Sequence, residues 1–411
     1  MQLPVAGSAD RGLPDCGSSD SGSSDSGRPT VAGPTVAGPT ATRPTAGLPD
    51  RGSCDCGSSV QVRKPVAFSG PARLAGRMRI EPWDPADEKT ARACYDVMTA
   101  AQQADEPVEP PPSFAMFDTF LRYGWDQIPT EVWVASGGDG GVAGYYQIGL
   151  PDLENLDRAI GGPVVHPDLR RRGIGRELLR HEGARAEAHG RSLFGAVAAA
   201  GSAGDAFAQA LGARLDLVEV RRIQYLREIA PGTVAALRAA AEKAAVGYSL
   251  VSWTGGIPEE YRGAMAEVFN AFNDAPHGEN HEPENWDAER VRERTGVFER
   301  LGVVRSHNVA AIADSTGDIA AYSQVQVNPE QPSWGFQQLT AVTRPHRGHR
   351  LGLLTKTAML EQLAAAEPAM EWIETGNAAT NEHMIAVNEQ LGYRVVEPGW
   401  RYYKIPVSAM R

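Results

Sequence analysis

The chain has 411 residues, with 40 Lys and Arg against 51 Asp and Glu, a formal net charge of −11. So acidic a chain is a poor nucleic-acid binder, because such binders carry basic faces to meet phosphate. It holds no apolar run near the roughly 20 residues a bilayer span needs, and its 4 cysteines do not make a disulfide framework at this length.

Residues 1–77 differ from the rest. They are mostly Gly, Ser, Pro, Thr, Ala and Asp, with two near-repeated phrases and almost no large side chains. Such a segment buries too little apolar area to offset its conformational entropy, so disorder is expected. It lacks the basic start and apolar centre of a secretory signal. Cys16, Cys54 and Cys56 lie in it, and a lone Cys54-x-Cys56 falls short of the four ligands of a structural zinc site. Met78 opens the first strand-like segment and is a second candidate start.

From there the alternation of strand and helix patterns is regular. A strand at 78–83 precedes a helix near 87–103, and strands follow at 131–135, 141–150 and 159–165. A helix at 176–189, a strand at 192–198, a helix at 204–211 and a strand at 216–227 complete the first series. A connector at 229–246 has helical character. The second series has a strand at 247–253, helices at 259–273 and 287–300, and strands at 308–314, 319–327 and 334–342. Helix 353–365, strand 372–375, helix 380–391 and strand 393–405 close it. Two landmarks recur in the same order: Gly175 and Gly352 lie 177 residues apart, and Gly212 and Gly392 lie 180 apart. Matching order and spacing argue for two copies of one unit. Mixed strands and helices make each copy an α/β layered domain, with expected bounds 78–228 and 247–411.

The chemistry sits where a strand runs into a helix. Arg170-Arg171-Arg172-Gly173-Ile174-Gly175 follows a turn at Pro167-Asp168 and opens a helix. The first N–H groups of a helix lack internal partners and carry the positive end of its dipole. Glycine lets an anion approach the backbone, and arginines add charge-assisted donors. That combination suits a phosphate or pyrophosphate. Arg347-Gly348-His349-Arg350-Leu351-Gly352 repeats it in the second copy.

These residues resemble the GCN5-related N-acetyltransferases. That family's cofactor loop reads Arg/Gln-x-x-Gly-x-Gly/Ala, which Arg170 to Gly175 match in full. Val164 and Val165 are similar to the strand end whose backbone grips the acetyl and pantetheine arms of acetyl-CoA, with Val342 at the corresponding end in the second copy. The second loop departs from the pattern, placing Arg350 at the first glycine. Asn377, Asn381 and Asn388, in a run that ends Leu391-Gly392-Tyr393, resemble the family's later motif. The resemblance covers nearly all of 78–411. It implies two tandem domains, each a mixed, mostly antiparallel sheet flanked by helices. It also implies acetyl-CoA as co-substrate without a metal, direct transfer to an amine in a ternary complex, and a cytoplasmic setting. The acceptor is a small molecule or a peptide amine, with no role for nucleic acid or membrane. One copy is expected to catalyse and the other to serve as a scaffold or a second acetyl-CoA site.

Many family members place a tyrosine acid three residues before the Leu of Leu-Gly. Here Ala208 and Asn388 stand there, and neither can protonate a thiolate. Glu374, at a strand end before Asn377, is the expected base, and Tyr393 the expected acid among the strand tyrosines Tyr322, Tyr393 and Tyr402. The segment from Phe272 to Glu284 is acidic and loop-like, placed to attract a cationic amine. His277 and His281 within it are four apart but flank Gly278, away from any helix face that would make them metal ligands. The competing class is a non-catalytic acyl-CoA-binding or regulatory protein, left when both copies lack their acid.

Overall fold

The structure is a computed structural model. It describes residues 78–411 apart from Asp139, His277, Gly278 and Asn280, and the backbone alone of Asp126. The expectations for residues 1–77, including Cys54-x-Cys56, and for His277 lie outside the described residues.

The first series is β1 (Arg79–Pro82), α1 (Glu88–Asp105), α2 (Phe114–Tyr123), β2 (Thr130–Ser136), β3 (Val142–Gly149), β4 (Arg158–Gly161), β5 (Pro163–Val165), α3 (Ile174–Ala188), β6 (Leu193–Ala199), α4 (Ala203–Ala210) and β7 (Arg214–Tyr225). A connecting helix, α5 (Thr233–Ala244), leads to β8 (Tyr248–Thr254), α6 (Arg262–Phe272), α7 (Ala288–Arg294), the short α8 (Val297–Arg300), β9 (Arg305–Ala313), β10 (Ile319–Val327), β11 (Trp334–Val342), α9 (Leu351–Ala366), β12 (Trp372–Ala378), α10 (Glu382–Gln390) and β13 (Tyr393–Pro406).

Helix α2 was not expected. Its signal was present: Ser113 follows three prolines and caps the helix by accepting from the Met116 N–H, and Phe117, Phe120 and Leu121 make the buried face. The expected helix at 287–300 is interrupted at Thr295-Gly296, where Gly296 is left-handed. The expected strand at 159–165 splits at Gly162, whose φ of 145° breaks the ladder.

All strands join one sheet with the order β1-β2-β3-β4-β6-β13-β7-β12-β11-β10-β9-β8, and β5 pairs beside β3. The centre of this order carries an exchange. The last strand of the second series, β13, lies between β6 and β7, and the last strand of the first series, β7, lies between β13 and β12. Both strands are long, 12 and 14 residues, so each pairs along both of its edges. The parallel pairs, β4 with β6 and β11 with β12, hold equivalent places on either side of this exchange. Helices cover both faces of each half. In the first half α3 packs over Tyr146, Ile148 and Phe194, while α1 and α2 cover Val132, Val134 and Tyr145. In the second, α5 and α9 pack over Val309, Val325 and Ile373, and α6 and α7 cover Ala310, Tyr322 and Ala341. Burying apolar side chains on both faces at about 25 cal/mol per Å² is what holds such layers together.

Candidate active site

In each half one parallel strand pair opens into a V. In the first half β4 pairs with β6 only up to Gly161 and Ala196, after which β5 turns to β3 and leaves its β6-facing edge without a ladder. In the second, β11 pairs with β12 only from Trp334–Trp372 to Phe336–Glu374. Each V points at the start of a helix, α3 or α9, that no side chain caps.

The two loops at these helix starts share one backbone. Arg171 and Gly173 have φ of 64° and 88°, and Gly348 and Arg350 have φ of 90° and 54°. Both loops therefore use two left-handed positions, with Arg and Gly exchanged between them. Arg350 in place of glycine leaves the cradle intact, at a strain of roughly 1–2 kcal/mol. Beside Gly173 and Gly348 an added Cβ meets nothing within 4 Å, so the loop surface is open to an anion. The leading arginines do different work from the donors expected of them. Arg170 makes a bidentate pair with Asp105 at 2.9 and 2.7 Å and donates to the Val165 carbonyl at 3.2 Å. Arg347 repeats this with Asp274 and the Val342 carbonyl. Both guanidiniums tie the loop to the end of the first helix of its own half, α1 or α6, and position it; Arg171 and Arg172 are exposed at the loop tip. Ile174 and Leu351 are buried under their helices, while Gly175 and Gly352 let α3 and α9 approach the strand ends at Val165 and Val342. His349 lies against the Tyr248 ring, 5.3 Å between centroids.

At the second vertex Glu374 is buried, at 1% exposure, and pairs with the fully buried Arg221 at 2.6 Å. Glu106 and Glu109, from the segment after α1, stand 3.8 and 3.4 Å from the same guanidinium, and Trp400 lies 4.6 Å beneath it. Burial first, and then Glu109, push Glu374 up to about 7 against the pull of Arg221. Tyr393 belongs to the α9 side, in the core with Ile373, so the expected base and acid lie on opposite faces of the sheet and are not brought together. Asn388 donates to Asn377 at 2.8 Å, both buried, and Asn381 caps α10 through Met384 N–H. These asparagines tie β12 to α10.

The second V is also laced internally. Gln337, the first β11 residue past the vertex, donates to the Leu339 and Gln324 carbonyls at 2.9 and 2.7 Å, and its own oxygen accepts from Lys356 of α9 at 3.0 Å. Burial alone brings Lys356 down to about 7. The first V has Gly161 and Gly162 in this region, with Glu182 of α3 accepting from the Gly162 N–H at 3.1 Å.

At the first vertex the place of Glu374 and Arg221 is taken by Gly195 and Tyr402, and a cavity of about 360 Å³ opens there. Gly195, Ala196 and Val197 of the first half line it together with Phe269, Phe272, Trp286, Gln324, Gln326 and Gln338 of the second. Its charges are largely matched in pairs: Glu154 with Arg290 at 2.8 Å, Asp152 with Arg294 at 2.6 Å, Asp216 with Lys404 at 2.8 Å. The acidic segment expected to attract an amine also joins the halves: Glu282 accepts from the Asn155 N–H at 2.6 Å and Glu279 pairs with Arg214, while within the second half Glu284 accepts from the Trp286 indole. Among the described residues no cluster of three His, Cys, Asp or Glu could hold a metal ion, and no helix is long and apolar enough to cross a membrane.

Comparison with known proteins agrees with this geometry. The model of the acetyltransferase (GNAT) family matches residues 93–212. A tandem GNAT protein from the clavulanic acid biosynthesis pathway is similar over 80% of this chain and 99% of its own, at 29% identity and a TM-score of 0.66. A GCN5-related N-acetyltransferase from Sphaerobacter thermophilus, at 16% identity, covers 80% of this chain and 96% of its own with a TM-score of 0.57. A glucosamine N-acetyltransferase region of a fungal multi-domain protein, at 14% identity, covers 80% and 38% with a TM-score of 0.52. The last two likenesses show the fold alone. No curated protein sequence matches. Residues 93–212 thus match the GNAT family, and the chain as a whole has the fold of a tandem GNAT protein, which supports acyl transfer in general.

Proposed function

We propose that the protein moves an acetyl group from acetyl-CoA to an amine, that the first half carries the reaction, and that the second half is its scaffold. The loop Arg171–Gly175 and the unladdered edge of Val164 and Val165 would hold the cofactor, and acetyl-CoA bound there supplies a thioester carbonyl to the first V. The residues fit: the helix start is uncapped, the loop is open, and the V points at it. The observation that carries the reading is the cavity, which reaches the first vertex at Gly195 to Val197, whereas Arg221 and Glu374 fill the equivalent space in the second half. A pocket of this size suits a small acceptor beside the thioester. Direct transfer is supported because Cys94, the one described cysteine, is buried in the core with its thiol pushed up to about 12, out of reach as a nucleophile.

Calorimetric titration with CoA tests the assignment. The native protein should bind one equivalent, Gly352→Glu should keep it, and Gly173→Glu should lose it, since a carboxylate at the left-handed position both blocks and repels phosphate. Binding retained in Gly173→Glu and lost in Gly352→Glu would reverse the roles of the halves.

A further inference from the structure

The general base remains to be found, because Glu374 lies at the other vertex. Among the residues that line the cavity is a tyrosine with a buried carboxylate partner. Tyr402, on β13, is paired in register with Val197, and both line the cavity. Its hydroxyl donates in a short hydrogen bond to Glu219 of β7, which is 5% exposed. Tyr402 belongs to the second series: the exchange inserts β13 between β6 and β7 and so sets Tyr402 beside Glu219.

The surroundings are fitted to the Glu219 carboxyl. A Cβ on Gly376, on the neighbouring β12, would run into the Glu219 side chain where it now lies. From β12 Glu374 also faces this region, and from β7 Arg221, which is engaged with Glu374 and the nearby Glu106 and Glu109. From β13 come Trp400 and, further along, Lys404, which is paired with Asp216. On the cavity side His281 is brought down to about 4 by burial and by Arg158 and Lys404, so it is neutral near pH 7. Burial raises the Glu219 carboxyl above its ordinary range, against the Tyr402 hydrogen bond.

We propose that Tyr402 and Glu219 are the proton-accepting pair for the acceptor amine held in the cavity, Tyr402 touching the amine and Glu219 acting through it. The inference rests on the reading of the first half as the catalytic one. An acceptor enters as its ammonium. One N–H bond breaks and leaves its electron pair on nitrogen; the proton joins the Tyr402 oxygen as that oxygen's own proton passes to Glu219. Net, an ammonium and a carboxylate become an amine and a carboxylic acid. The freed pair forms the C–N bond, the C–S bond breaks, and the second nitrogen proton leaves with the thiolate as thiol. Glu219 then returns its proton to solvent.

The tests are Tyr402→Phe and Glu219→Gln, which keep shape and packing. Thiol release from acetyl-CoA is followed with benzylamine as probe amine and water as the slower nucleophile. Removing a general base typically lowers rate about 10²–10⁴-fold, so both variants should fall at least 100-fold with CoA titrating as in the native protein. Because Glu219 must be ionised, the native rate should rise with pH through the raised Glu219 titration, and the rise should vanish in Glu219→Gln, a change that a merely structural role would not produce. The infrared carbonyl band lost in Glu219→Gln should titrate in the same pH interval as the rate. Unchanged rates and pH profile in both variants, or a Glu219 band that does not titrate over the pH interval in which the rate rises, would overturn the pair. Failure of native protein to bind CoA or release thiol would overturn the acyl-transfer reading instead, and the infrared titration judges the pair in either case.

Discussion

The two halves of the sheet start from one plan and end with opposite contents at the point where a parallel pair opens. In the first, glycines occupy the vertex and a cavity stands before it; in the second, a buried Arg–Glu pair, an aromatic ring and two further carboxylates fill the same place. The loops do not explain the difference, since both keep two left-handed residues and an arginine latch. What differs is what each half receives from the other. The second half lends α6, α7 and Tyr402 to wall a cavity, and the first lends Arg221, Glu106 and Glu109 to close one. Duplication followed by strand exchange thus allows one site to open while its twin becomes structure.

The strongest way to break the comparison is to close the open vertex. Gly195→Leu places an apolar side chain where the second half has Glu374, and the nearest atom to an added Cβ, the Ala159 carbonyl oxygen, is 3.9 Å away, so the strand should accept it. Displacing an acceptor by about 1 Å is enough to cost roughly 100-fold. Turnover should fall at least that far with CoA affinity unchanged. Retained turnover would mean that the acceptor does not use this cavity.

The buried charges of the second half make a smaller, pH-dependent contrast. Lys356 titrates near 7 in the folded protein and near 10.5 in the unfolded chain. Between those values the unfolded chain binds more protons, so this residue makes stability rise with pH from 7 to 10.5. Lys356→Met removes the cost of burying an ammonium but leaves Gln337 short of a donor, so the net gain near pH 7 should be about 2 kcal/mol, fading toward pH 10. Glu374 has the opposite sign. Its folded value near 7 exceeds the ordinary 4.5, the folded state binds more protons in between, and stability falls as pH rises through that window. Glu374→Gln should abolish that fall in chemical-denaturation curves and change turnover only a few-fold. A 100-fold loss of turnover with CoA binding intact would restore Glu374 as the base.

The two loops were legible because their signal is local: six consecutive residues specify both the turn and the uncapped helix start. The layered halves were legible because period-2 and period-3.6 patterns follow one another twice. The exchange was not, since alternation identifies a strand and not its neighbour, and β7 pairs with β12 across some 150 residues of sequence. With the exchange hidden, Glu374 stood as the nearest carboxylate to the asparagine motif, and its partner Arg221 belonged to the other copy. A weak signal did exist. Glu219, Arg221 and Arg222 fall among the apolar Leu217, Val218, Val220 and Ile223 of β7, and Lys356 lies in a helix whose first two turns are buried all round. Charges in such places require partners, although sequence alone does not say which.

The smallest expected effect asks whether loop or strand would account for a second half that, on the proposed reading, binds no CoA. The first loop reads Arg then Gly at its two left-handed positions, and the second reads Gly then Arg. A left-handed non-glycine residue costs about 1–2 kcal/mol. Gly348→Arg alone puts two such residues in one loop and should lower stability by about that amount. The double change Gly348→Arg with Arg350→Gly restores the first loop's order and keeps one residue of each kind, so its stability should match the native protein within about 0.5 kcal/mol, as measured by denaturant midpoints. CoA stoichiometry in this double variant then decides between two causes. If the loop order silences the second half, a second equivalent of CoA should bind. If the strand does, stoichiometry stays at one, because the Leu339 carbonyl is already taken by Gln337 and Lys356 lies beneath it. We expect one. A second equivalent would mean that Gln337 and Lys356 yield to a cofactor arm, and that the closed vertex, not the lacing of the V, is what separates scaffold from enzyme.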